Sequence, residues 1–212
     1  AVVHGDVVTC QVTATDGSGG SVIESASVSV ANTIPVLTSV TVTPTTPTVS
    51  DTITCTPSAA TDPDGDSVSF QYNWYIDNVL QSNTTDTIQG SFAAGQNVEC
   101  EVIPHDGYDA GIALSASTEV ANTPPQITNV TFSPNPVLTN DLLVATVLSS
   151  DVDGHAISYQ FDWYVDGTLV QSGDVSELDG SGSYGFDTFF EKGQTIDLTV
   201  TPFDGFEHGV AY

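Results

Sequence analysis

Three aspartates at alternate positions, Asp62, Asp64 and Asp66, surround Gly65 in the stretch DPDGD, and they are the side chains best placed to do chemistry. Alternate carboxylates on a glycine turn suit a hard cation. Calcium takes about six to eight oxygen ligands in irregular geometry, so three clustered aspartates plus carbonyls make a plausible half-shell. The alternative is a solvated Asp-Gly turn that binds nothing. A second acidic loop, HDGYD, carries Asp106 and Asp109, and the corresponding later stretches read SDVDGH and FDGFE. Those place Asp151, Asp153 and Asp204 at matching positions, with Glu207 nearby and His155 where Asp66 stood. Replacing an oxygen ligand by imidazole is expected to weaken calcium binding there.

Catalysis finds little footing in the same residues. The four histidines are scattered, and His105 beside Asp106 has no accompanying nucleophile, so no triad can be assembled. Asp62 and Asp64 share one turn with no cleft expected around them, which argues against a pair of carboxylates working on a glycosidic bond. The chain is therefore expected not to be an enzyme. Trp74 and Trp163 could stack on sugars, but their phase with Tyr72, Ile76, Phe161 and Val165 points inward and favours core packing. Asn83 and Asn129 lie in glycan acceptor triplets.

Charge narrows the partners. Twenty-seven acidic residues face a single cation, Lys192, for a formal charge of -26. Such a chain repels phosphate backbones and anionic membranes, which sets aside nucleic acid and lipid surfaces as partners. Its natural counterions are metal cations, although a solvated acidic surface serving solubility explains the same excess. No apolar run approaches the roughly eighteen residues of a membrane span, and the N-terminus lacks signal-peptide character, so no direct membrane insertion is expected and targeting information is expected to lie outside this segment.

The elements that must position these loops repeat. HGDVVTCQVTATDG from His4, AGQNVECEVIPHDG from Ala94 and KGQTIDLTVTPFDG from Lys192 superpose, and VANTIP ending at Pro35 returns as VANTPP ending at Pro125, 90 residues on. VSFQYNWYIDN from Val68 matches ISYQFDWYVDG from Ile157. The expected division is residues 1–33 as the last two strands of a truncated repeat, 34–123 as a complete repeat, and 124–212 as a repeat lacking most of its last strand. This predicts either an excerpt from a longer array or a subunit that donates strands to a neighbour. The third repeat is longer by eight residues between Gly173 and Phe190, a candidate contact surface or a tolerated loop.

Apolar residues at every second position, as in Val68, Phe70, Tyr72, Trp74 and Ile76, mark half-buried strands, and about seven such runs separated by turn clusters fit one period. The fold class is thus all-β. The order Cys55, Trp74, Cys100 resembles that of immunoglobulin domains and implies tandem immunoglobulin-like antiparallel β-sandwiches. The resemblance also implies a Cys55 to Cys100 bridge between sheets, and with it an oxidising, extracellular or cell-surface setting. The third repeat has Ala145 and Leu198 instead, both members of the pair being replaced together. Cys10 aligns with Cys100, so it either pairs with a strand outside this segment or is an unpaired buried thiol.

The NTPP linker, the DPDGD loop and the Tyr-x-Trp-Tyr strand resemble the PKD-like or cadherin-like repeats of large bacterial and archaeal surface proteins. In an immunoglobulin-like sandwich the two acidic loops share one end, which the incoming linker with Asn32 also reaches, and that convergence suggests structural Ca2+ at the junctions. The resemblance supports this without identifying the ligands, and it implies rigid arrays whose partners are neighbouring repeats of the same polypeptide and other copies in a filament. The leading expectation is a stiff extracellular stalk or filament. The alternatives are an adhesin module binding carbohydrate or another cell, and spacer domains of a secreted hydrolase.

Overall fold

The computed structural model describes residues 2–182 and 188–212; the part of the Gly173–Phe190 extension at 183–187 lies outside the described residues. Runs of Val, Thr, Ser and Tyr in alternation favour extended backbone, because branched and aromatic side chains pack well on a pleated surface. Among the described residues fifteen strands result and no helix occurs. The chain divides into two compact units, the first made of Ala1–Pro47, Asp51–Phe92 and Gln96–Val120, the second of Thr48–Ser50, Ala93–Gly95 and Ala121–Tyr212.

In the first unit, β1 (Val7–Thr15) and β2 (Ser21–Ser29) form an antiparallel hairpin. Seven further strands follow: β3 (Val40–Thr43), β4 (Thr52–Pro57), β5 (Ser69–Ile76), β6 (Val79–Leu80), β7 (Thr87–Gln89), β8 (Asn97–His105) and β9 (Leu114–Glu119). They make one sheet in the order β3-β4-β7 and another in the order β6-β5-β8-β9, the strand arrangement of an immunoglobulin-like sandwich. Cys55 on β4 and Cys100 on β8 are bonded across the two sheets, with Cα atoms 6.3 Å apart. Trp74 lies opposite Cys100 on β5 and is fully buried, its indole N–H donating to the Thr85 carbonyl at 2.8 Å. Ile53, Ile88, Val98 and Val102 complete the core.

The second unit repeats this plan, without a counterpart of β9 among the described residues, in β10 (Gln126–Ser133), β11 (Leu142–Ser150), β12 (Ser158–Val165), β13 (Thr168–Gly173), β14 (Glu177–Asp179) and β15 (Ile196–Phe203). The sheets run β10-β11-β14 and β13-β12-β15. Trp163 is fully buried among Leu143, Ala145, Phe161, Val165, Leu178, Phe190 and Val200. Ala145 lies opposite Phe132 as Cys55 lies opposite Val42, and Leu198 lies opposite Trp163 as Cys100 lies opposite Trp74. Both tryptophans are thus core residues, as their phase predicts, and neither offers a face to a sugar.

The hairpin keeps the register of β8 with β9: Cys10 faces Ala26 as Cys100 faces Ala116. The buried-thiol alternative for Cys10 does not hold. Cys10 is a free thiol but an exposed one, not a buried one, because two strands alone have nothing to cover either face, and Val8, Val12, Val22 and Val28 are exposed with it.

Candidate metal centres

Each unit brings one acidic loop, the loop after its strand bearing the Cys100 or Leu198 position, and the incoming linker to the same end of a sandwich. Extended strands must stop and turn there, and Gly65 and Gly154 supply the left-handed backbone that each acidic loop needs. The linker is pressed against the far loop at a second glycine. A Cβ on Gly111 would stand 2.1 Å from the Pro35 carbonyl oxygen, and one on Gly209 would stand 1.9 Å from that of Pro125. Only hydrogen fits there, so the close approach is written into the sequence twice.

In the first unit, Asp62, Asp64 and Asp66 place one carboxylate oxygen each within 4.8 Å of one another. Asp62 Oδ1 accepts the backbone N–H groups of Asp64 at 2.8 Å and Asp66 at 3.2 Å, which curls the loop around its own first residue. The linker joins through Thr33, whose N–H donates to Asp64 Oδ2 at 2.8 Å, and through Asn32, whose Nδ2 donates to Asp106 Oδ2 at 2.9 Å and Asp109 Oδ2 at 3.0 Å. Asp106 Oδ1 meanwhile accepts from the N–H groups of Tyr108 and Asp109. The Asn32 amide leads in holding the Asp106 carboxyl down at about 2, helped by the Asp109 and Tyr108 N–H groups and opposed by burial.

Asp106 is therefore occupied by N–H donors and orients the Asn32 amide, whose oxygen then has no partner. Asn32 Oδ1 and Asp62 Oδ2 are both buried acceptors without a hydrogen bond. A buried oxygen in that condition carries an unrecovered desolvation cost of roughly 1–3 kcal/mol, which a cation removes.

The second unit rebuilds the frame. Asn122 Nδ2 donates to Asp204 Oδ2 at 2.8 Å, the Thr123 N–H to Asp153 Oδ2 at 2.6 Å, and the His155 N–H to Asp151 Oδ1 at 3.0 Å. Burial pushes the Asp204 carboxyl up, but the Glu207 N–H, the Asn122 amide and the Phe206 N–H together outweigh it and hold the group at about 2. Asp151, Asp153 and His155 form the second cluster of possible ligand atoms within 4.8 Å.

Asn122 and Thr123 were not among the residues expected from sequence to matter, and Asn32 entered only as part of the linker. The signal was the recurrence of Ala-Asn-Thr immediately before Ile34-Pro35 and Pro124-Pro125. His105 accepts the Gly107 N–H through Nδ1 and braces its own turn. Of the glycan acceptor positions, Asn83 uses its side chain locally, Nδ2 donating to the Thr87 carbonyl while Oδ1 accepts from Thr85. Asn129 is exposed, beside a register irregularity in β10.

No protein-family model matches the sequence, and no curated protein sequence matches it. Among solved structures, the FN1 to FN3 domains of chicken CNTN1 are similar over 93% of this chain and 72% of that one, at 13% identity and a TM-score of 0.33. A crystal structure of titin domains is similar over 97% of this chain and 72% of that one, at 14% identity and a TM-score of 0.31.

Proposed function

We propose that this chain is a structural segment of an extracellular or surface protein, in which tandem sandwiches stiffen a stalk or filament and divalent cations clamp each linker to the loops of the sandwich that follows. At the all-oxygen centre of Asp62, Asp64 and Asp66 the ion is Ca2+. The observation that carries this reading is the duplicated frame: Asn32 and Thr33, and again Asn122 and Thr123, hold acidic loops by the same bonds and leave buried oxygens facing no donor. A protein that needed only a solvated turn would keep neither the buried oxygens nor their repetition. The buried disulfide supports an oxidising compartment, since such bridges do not persist where thiols are kept reduced. The excess of carboxylates supports a cation-rich medium outside the cell.

Calorimetry of the whole chain in EDTA and in Ca2+ tests the clamp. With Ca2+ at about a hundred times its dissociation constant, binding to the folded state alone adds about 2.7 kcal/mol. The first unit should melt correspondingly higher, and Asp62→Asn with Asp64→Asn should abolish the increment while leaving the melt in EDTA nearly unchanged. Identical melting of the first unit in EDTA and in Ca2+ would end the proposal.

A further inference from the structure

We propose that the centre in the second unit, built from Asp151, Asp153 and His155 with Asn122 and Thr123, is a mixed nitrogen and oxygen site for a borderline transition ion of the Zn2+ class. It rests on the preceding reading only in taking the loop end of a sandwich as a cation site; the identity of the ion is argued from different atoms.

The shared frame isolates what differs. Asp66 and His155 occupy the same loop position, and the backbone N–H of each bonds the first aspartate of its loop, at 3.2 Å and 3.0 Å. The exchange therefore alters the donor facing the centre while the loop around it is kept. An imidazole nitrogen is a poor ligand for calcium, which prefers oxygen, and a good one for zinc, nickel or cobalt.

The surroundings of that nitrogen point the same way. Five buried polar atoms of this loop end have no hydrogen-bond partner: Asn122 Oδ1, Thr123 Oγ1, Asp151 Oδ2, Asp153 Oδ1 and His155 Nδ1. Among the described residues the first unit has two, Asn32 Oδ1 and Asp62 Oδ2. Asp151 is the decisive one, because its side chain is only 2% exposed and still leaves one carboxylate oxygen unpaired. A plain ion pair between His155 and Asp151 does not account for this. The imidazole Nδ1 stands 3.9 Å from Asp151 Oδ1, beyond hydrogen-bonding reach, and the pair would leave Asp153, Asn122 and Thr123 as they are.

The cluster suits a shared ion, because Asp151, Asp153 and His155 each place one ligand atom within 4.8 Å of the others, so small side-chain movements bring all three to zinc's bonding distance of about 2.0–2.2 Å. Phe206 lies against the imidazole, with ring centroids 4.8 Å apart, and fixes its plane. The counterpart Tyr108 packs against His4 instead, outside the first centre. Asp153, held by the Thr123 N–H through one oxygen, presents the other, so two carboxylates and one imidazole supply three ligands and the Asn122 and Thr123 oxygens complete the shell.

The test titrates the whole chain, stripped with EDTA, with Zn2+ and separately with Ca2+ by isothermal calorimetry near neutral pH. One Zn2+ should bind the native chain, and the same affinity should persist in Asp62→Asn with Asp64→Asn. His155→Asp installs the residue that the first centre carries, so the loop should still fold, shown by an unchanged melt in EDTA. That variant should lose about tenfold or more in Zn2+ affinity and gain Ca2+ affinity. His208→Ala, which removes the other histidine of the same unit, should change neither. Zn2+ affinity within twofold of native in His155→Asp, or a native second unit that prefers Ca2+, would overturn the assignment. Failure of Ca2+ to stabilise the first unit defeats the calcium reading alone, whereas failure of the His155 variant to discriminate defeats this one alone.

Discussion

Exchanging the disulfide pair for the residues that stand in its place in the second unit separates the cross-link from the packing around it. The variant Cys55→Ala with Cys100→Leu copies Ala145 and Leu198, which already pack beside a buried tryptophan in a sandwich whose corresponding strands keep the same order. Volume-conserving exchanges of that kind cost less than about 1.5 kcal/mol. The cross-link itself spans 45 residues, and releasing a loop of that length restores unfolded-state entropy equivalent to about 4 kcal/mol. For domains of about this size each kilocalorie per mole moves the melting point by about 4–8 °C, so the first unit should melt roughly 20 °C lower. Calorimetry measures the shift, and hydrogen exchange assigns it, with amides of β5 and β8 losing protection while those of β12 and β15 keep theirs. Dithiothreitol on the native chain should reproduce the effect. A shift no larger than the packing term, or one shared equally by both units, would refute the reasoning, because the bridge would then not be what holds the first sandwich together.

The other expectations are narrower. Trp163→Ala removes the centre of the second core and should cost about 3–5 kcal/mol in urea unfolding of that unit, with the first unit unmoved. Gly209→Ala drives a methyl into the Pro125 carbonyl and should destabilise the second unit by about 1–3 kcal/mol, with Gly111→Ala doing the same to the first; wild-type urea midpoints in both would show that the linker is not seated as described. Because Asp106 and Asp204 titrate at about 2 when folded but near 3.8 otherwise, the stability they contribute is fully present above about pH 4 and is lost as pH falls toward 2. Asn32→Ala removes the leading cause at Asp106, so acid unfolding of the first unit, followed by tryptophan fluorescence, should move to higher pH; an unmoved midpoint would count against that role.

Much of the fold could be read in advance because strand burial imposes a period of two that no other structure in this chain mimics. Trp74 and Trp163 carry that phase, and the joint replacement of Cys55 and Cys100 by Ala145 and Leu198 marks a pair in contact before any coordinate is known. The acidic loops were legible for the same reason that makes them ambiguous: alternate aspartates describe a calcium half-shell and a wet turn equally well. What could not be read was which oxygens are left without donors. That depends on the linker being seated against Gly111 and Gly209, a tertiary event, and only then does the Asn32 amide turn its nitrogen to Asp106 and leave its oxygen bare. Cys10 shows the converse, since its place in the repeat says buried while the strands present leave it exposed.

The duplication also separates two properties that a single site would confound. Asn32 with Asp106, Thr33 with Asp64, and their counterparts Asn122 with Asp204 and Thr123 with Asp153, form a frame whose four bonds differ by no more than 0.2 Å between like pairs. The frame does not touch position 66 or 155, where the donor changes from carboxylate to imidazole. Under the proposed cation-clamp reading, a scaffold that holds its shape while one facing residue varies would let an array set each cation site independently, without cost to the sandwich beneath. If so, the ion bound at any repeat of this kind should follow from the residue after the loop glycine, and a chain in which His155→Asp converts the second centre to the preference of the first would demonstrate that rule with one substitution.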